Sequence, residues 1–60
     1  MKVMVKVWEG EESVEITVEQ KSKSVWIASG AYMGNQITVQ GRNANNATKI
    51  WRDAAHYRSN

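Results

Sequence analysis

Apolar and polar residues alternate along the first part of the chain. Valines occupy every second position over residues 3–7, and valine and isoleucine repeat the same spacing over residues 14–18. A period of two is typical of β-strands with one buried face. Residues 9–12 between them form a short polar loop that contains Gly10, so the two runs are predicted to form an antiparallel hairpin.

Charges on these two strands favour one register. Pairing Val5 with Ile16 aligns the apolar faces and sets Lys6 opposite Glu15. Opposite charges on facing strands contribute about 0.2–1 kcal/mol per pair relative to alanines. The apolar pattern and the surface charges therefore predict the same register.

A third strand is predicted over residues 24–29, continuing to residue 32. It would follow a tight turn near Lys21, and that turn would place Ile16 opposite Ile27. Since side chains alternate between the two faces of a strand, Ile27 would face the core and Trp26 would lie on the outer face of the sheet.

The remaining residues predict a fourth strand and one helix. A turn at Gly34-Asn35 leads into an alternating strand over residues 36–40, which Gly41 ends. A helix is predicted over residues 43–58, with Asn43, Asn45 and Asn46 as the candidate N-caps. The apolar stripe expected to face the sheet contains Ala47, Ile50, Trp51, Ala54 and Tyr57, with Lys49, Arg52 and His56 opposite.

The predicted fold class is α+β. A small antiparallel four-stranded meander (three-stranded as the alternative) is followed by one C-terminal helix packed on one face, in the order β-β-β-β-α. The 60 residues are expected to form a single domain, with the sheet over residues 1–41 and the helix over residues 43–58.

Composition limits the chemistry that this domain can perform. The chain has no Cys and one His, which excludes a disulfide framework, a thiol nucleophile and a clustered-histidine metal site within one chain. His56 follows Asp53 by three residues, a spacing that on a helix is typical of a surface pair. We therefore expect no enzyme, no catalytic residue, no metal and no cofactor.

No apolar run approaches the ~18 residues of a membrane span, so we expect no membrane partner. The expected location is cytoplasmic, in a bacterium or a phage-infected host. Charge is unevenly divided: residues 1–20 hold two lysines and five glutamates, whereas residues 21–60 hold six lysines and arginines and one aspartate. Such polarity can steer a polyanion toward one side of a molecule.

The segment from Gly41-Arg42 through Asp53-Ala54-Ala55 resembles the last strand and helix of double-stranded-RNA-binding domains. It is also similar to the β-β-β-α DNA-binding modules of phage-type integrases, in which a Gly-Arg turn leads into the helix. Both resemblances imply a nucleic-acid partner. The candidate nucleic-acid-binding residues are Arg42, Lys49, Arg52 and Arg58.

Two functions follow from these observations. The first is a small non-enzymatic binding protein, an accessory protein of a phage or mobile element that binds nucleic acid. The alternative is a protein-interaction or homodimerisation module, for example an inhibitor of a partner protein, that uses exposed aromatic residues on the outer face of the sheet. Its interface residues would be Met4, Trp8, Trp26 and Tyr32.

Overall fold

The computed structural model describes residues 1–58 as an antiparallel sheet followed by one helix. The strands lie in the order β1-β2-β3-β4, and the helix packs on one face of the sheet. This architecture confirms the predicted α+β meander in its four-stranded form. The elements are β1 (Lys2–Val5), β2 (Val14–Ser22), β3 (Val25–Tyr32), β4 (Asn35–Gly41) and α1 (Ala44–Arg58).

The core lies between the sheet and α1. Trp51 is its largest side chain and is fully buried, as the sequence predicts. Its indole N–H donates to the carbonyl oxygen of Ile37 at 3.0 Å, so burial leaves that donor satisfied. Smaller buried side chains surround it: Val5, Val7, Ile16, Val18, Ala28, Tyr32, Ile37, Ala47 and Ala55.

β1 pairs with β2 two residues away from the predicted register. Val5 lies opposite Val14 rather than opposite Ile16. An even shift leaves every side chain on its expected face, because side chains alternate with a period of two. The different register accompanies an earlier end of the strand. β1 ends at Val5, and Val7 is buried beyond that end.

β3 presents the opposite face from the one predicted. The turn before it lies at residues 23–24, and the ladder is irregular at Lys21, where an extra residue forms a β-bulge. One extra residue changes the phase of alternation and so exchanges the two faces of the strand. Trp26 consequently packs against the core on the helix side, and Ile27 lies on the outer face.

Gly30 allows the helix to approach β3 closely. A Cβ atom at this position would lie 2.7 Å from Cγ2 of Ile16 and 3.3 Å from Cζ2 of Trp51. Real Cβ atoms essentially never approach other heavy atoms as closely as the first of these distances. The exchanged face of β3 therefore depends on a residue without a side chain beneath Trp51.

The hairpin between β3 and β4 turns at Met33 and Gly34, one residue before the predicted position. Both residues have positive φ, 51° and 82°. Positive φ at both central positions defines a type I′ turn, whose twist matches that of the flanking strands.

Candidate functional site

Two asparagine side chains accept backbone hydrogen bonds at the start of α1. The N–H of Asn46 donates to Oδ1 of Asn43 at 2.7 Å, which confirms Asn43 as the N-cap. Oδ1 of Asn46 in turn accepts from the backbone N–H of Arg42 at 3.1 Å. This arrangement fixes the backbone of Arg42 beside the helix N-terminus and leaves its side chain exposed, where the helix dipole is positive.

Lys49 and Arg52 lie one turn apart on the same side of α1, and both are exposed. Nε of Arg52 donates to the carbonyl oxygen of Lys6 at 2.9 Å, which holds the guanidinium against the segment after β1. Lys6 is also exposed and was not among the predicted site residues. Its position between the buried Val5 and Val7 could have identified it as solvent-facing.

Arg58 does not join these cations. It follows Lys49 by nine residues, which at about 100° per residue places it on the opposite side of the helix and about 14 Å farther along the axis. Lys49 and Arg52 thus share one side of α1, Arg42 lies just before the helix N-terminus, and the backbone of Lys6 contacts Arg52. We call these four residues the basic stripe.

Few carboxylates approach the cations. Within residues 1–58, the one lysine or arginine side chain within 4.0 Å of a carboxylate is Lys2, which lies 3.5 Å from Glu15. This exposed ion pair replaces the predicted pairing of Lys6 with Glu15. Among residues 1–58, no side chain of the basic stripe therefore forms an ion pair within 4.0 Å.

The five glutamates lie in other parts of the molecule, and Asp53 is the one acidic residue on α1. Glu15 and Glu19 alternate with the buried residues of β2 and so occupy the outer face of the sheet, away from α1. The glutamates at positions 9, 11 and 12 belong to the connection between β1 and β2, where Glu11 accepts a hydrogen bond from the Tyr32 hydroxyl at 3.0 Å. The glutamates thus lie away from the helix that carries Lys49 and Arg52.

The aromatic residues do not share the outer face, so that prediction is wrong for all three. Tyr32 is 8% exposed and meets Trp51 edge to face, with ring centroids 6.4 Å apart. Trp26 is half-buried against the core. Both lie on the helix side because the bulge exchanges the faces of β3. Of the predicted interface, Met4 does lie exposed on the outer face, 60% accessible.

Trp8 belongs to the connection after β1 and stacks on His56. Their ring centroids are 3.8 Å apart, and the ring planes differ by 18°. Nε2 of His56 also forms a hydrogen bond with the carbonyl oxygen of Val7. The prediction that His56 lies on the solvent side is therefore wrong.

Tyr57, expected in the buried stripe, is 83% exposed, and Ala55 is buried instead.

Residues 1–58 form no detectable pocket and no cluster of three or more metal-ligating side chains. Over the same residues, no helix combines the length and the apolar character needed to cross a bilayer. Comparison with protein-family models, with curated proteins and with solved structures finds no match. The function must therefore be argued from the surface itself.

Proposed function

We propose that this protein binds nucleic acid by contacting the phosphate backbone with the basic stripe of Arg42, Lys49, Arg52 and Lys6. The observation that supports the proposal is the exposure of these four cations on α1, at its N-terminus and on the segment against Arg52, with no carboxylate within 4.0 Å of their side chains among residues 1–58. Asp53 is the one acidic residue of α1.

The layout of the stripe suits a phosphate backbone. From Ala44 to Arg52 the helix advances about 12 Å at 1.5 Å per residue. That length matches between three and four base-pair steps of about 3.4 Å each. The helix N-terminus beside Arg42 adds its positive dipole end. Contacts to phosphates carry no sequence information directly, so we expect binding that depends little on sequence.

The proposal is tested by fluorescence anisotropy with labelled duplex and single-stranded oligonucleotides over a range of salt concentrations. If the four side chains of the basic stripe each neutralise one phosphate of a DNA duplex, the logarithm of the association constant falls against the logarithm of salt with a slope of about −3.6. Lys49→Gln should reduce the magnitude of that slope by about 0.9.

Two control variants remove the same charge elsewhere. Lys2→Gln acts on the outer face of the sheet, and Arg58→Gln acts on the far side of α1. Both should leave the slope unchanged, because neither side chain belongs to the basic stripe. Equal losses from Lys49→Gln and either control would show that net charge, rather than this surface, determines binding. Absence of binding at low salt would refute the proposal.

The alternative function, a protein-interaction or homodimerisation module, was based on an exposed aromatic surface that these side chains do not form. Tyr32 is buried, Trp26 packs against the core and Trp8 stacks on His56, so the three rings do not form one exposed patch. A cytoplasmic accessory role in a phage or mobile element stays a prediction from the sequence.

A further inference from the structure

β4 is an edge strand without the usual protection. Native edge strands are commonly short, charged or interrupted by proline. β1, at the other edge, has four residues and carries Lys2. β4 has seven residues and no charge, and the entire stretch from residue 24 to residue 41 contains neither a charged residue nor a proline.

The backbone of β4 offers an open row of hydrogen-bonding groups. Tyr32 and Asn35 flank the two-residue turn and therefore form the hydrogen-bonded pair that closes the hairpin. Hydrogen-bonding direction alternates along an antiparallel strand, so Gln36, Thr38 and Gln40 direct their N–H and C=O groups away from β3. All three residues are exposed.

The sequence of β4 is nearly palindromic about Thr38: Gln36-Ile37-Thr38-Val39-Gln40. Antiparallel pairing with a second copy, centred on Thr38, would set Gln36 opposite Gln40 and Ile37 opposite Val39. Thr38 would face its own equivalent. Threonine pairs stabilise facing strands, and isoleucine and valine favour strand structure. A near-palindromic sequence gives matched pairs only when the strand meets an identical strand. We therefore favour a second copy of this chain as the partner of the β4 edge.

We propose that two copies of this chain pair antiparallel through β4, about a two-fold axis at Thr38, to form one continuous sheet. The axis is perpendicular to the sheet, so both α1 helices lie on the same face. Gln36, Thr38 and Gln40 of each copy donate and accept across the junction. This self-association does not depend on nucleic-acid binding.

Sedimentation velocity over a concentration series tests the proposal. Wild-type protein should approach twice the 6.8 kDa chain mass as concentration rises. Thr38→Lys and Thr38→Glu should each remain monomeric, because each sets like charges opposite one another at the axis. An equimolar mixture of the two variants should regain the doubled mass, since opposite charges then meet.

Ala31→Lys provides the matched control. Ala31 is exposed on the outer face of β3, one strand away from the edge, so this variant should still dimerise. Circular dichroism should show that every variant is folded. A wild type that stays monomeric at about 1 mM, where even weak specific association is visible, would overturn the proposal. So would a dimer that survives Thr38→Lys, or a mixture of the Lys and Glu variants that stays monomeric.

Discussion

Gly41→Ala should destabilise the junction between β4 and α1. A Cβ atom at Gly41 would lie 2.5 Å from the backbone nitrogen of Ala47, 2.7 Å from its Cα and 2.9 Å from Oδ1 of Asn46. Ordinary contact begins near 3.4 Å, so the first turn of the helix must move by about an ångström. Backbone atoms of a capped helix cannot rotate out of the way as the end of a long side chain can.

The cost follows from what that movement disturbs. Overpacking of this kind typically costs about 1–3 kcal/mol. Displacing Asn46 also weakens its hydrogen bond with the N–H of Arg42, worth about 0.5–1.5 kcal/mol. We expect a total near 3 kcal/mol. A core in a domain of this size rarely supplies more than about 3–5 kcal/mol, so most of the stability should be lost.

Urea and thermal unfolding, followed by circular dichroism, measure this loss. At about 4–8 °C per kcal/mol for a small domain, the expected fall in Tm is roughly 12–24 °C. Gly10→Ala is the control because Gly10 has a φ of 86° and nothing within 4 Å of an added Cβ. It should cost only about 1 kcal/mol, for the left-handed backbone. If Gly41→Ala lowers stability no more than Gly10→Ala, the steric reasoning is wrong.

Two further changes test the connection between β1 and β2 and the bulge. Tyr32→Phe should lower the free energy of unfolding by about 1 kcal/mol in a urea titration, because it removes the hydrogen bond to Glu11. Tyr57→Phe, at an 83% exposed position, should not change it. Deleting Lys21 should preserve the pairing of Val18 with Ala28, which inter-strand NOEs can verify, because the bulge holds one residue more than a regular ladder needs.

Features encoded in nearby residues could be predicted from the sequence. The valine and isoleucine positions of β2 are apolar on one face only, so their burial is determined by alternation alone. The N-cap requires a side-chain acceptor three residues before a free N–H, and Asn43 supplies it. The order of the elements follows from such local signals.

Long-range contacts explain why the phase of the helix and the end of β1 were not predicted. The carbonyl oxygens of Lys6 and Val7 bond to Arg52 and His56, more than forty residues later in the chain. After Val5 the chain no longer pairs with β2, and these two bonds connect it to α1 instead. They also hold His56 on the side of the helix that faces the rest of the protein. Nothing in the alternation of residues 3–7 distinguishes Val7 from a strand residue.

The site prediction depended on β3, which is apolar on both faces. Either phase buries a reasonable set of side chains, so alternation alone could not choose between Trp26 and Ile27. The extra residue at Lys21 determines which face of β3 is buried. Gly30 could have indicated that face from the sequence, because only glycine fits beneath Trp51. A single bulge therefore moves the aromatic side chains of β3 to the other face of the sheet, and an interface proposed from those side chains changes with it. The exposure of the helix cations does not depend on the phase of β3, so the nucleic-acid proposal survives that reversal and the aromatic interface does not.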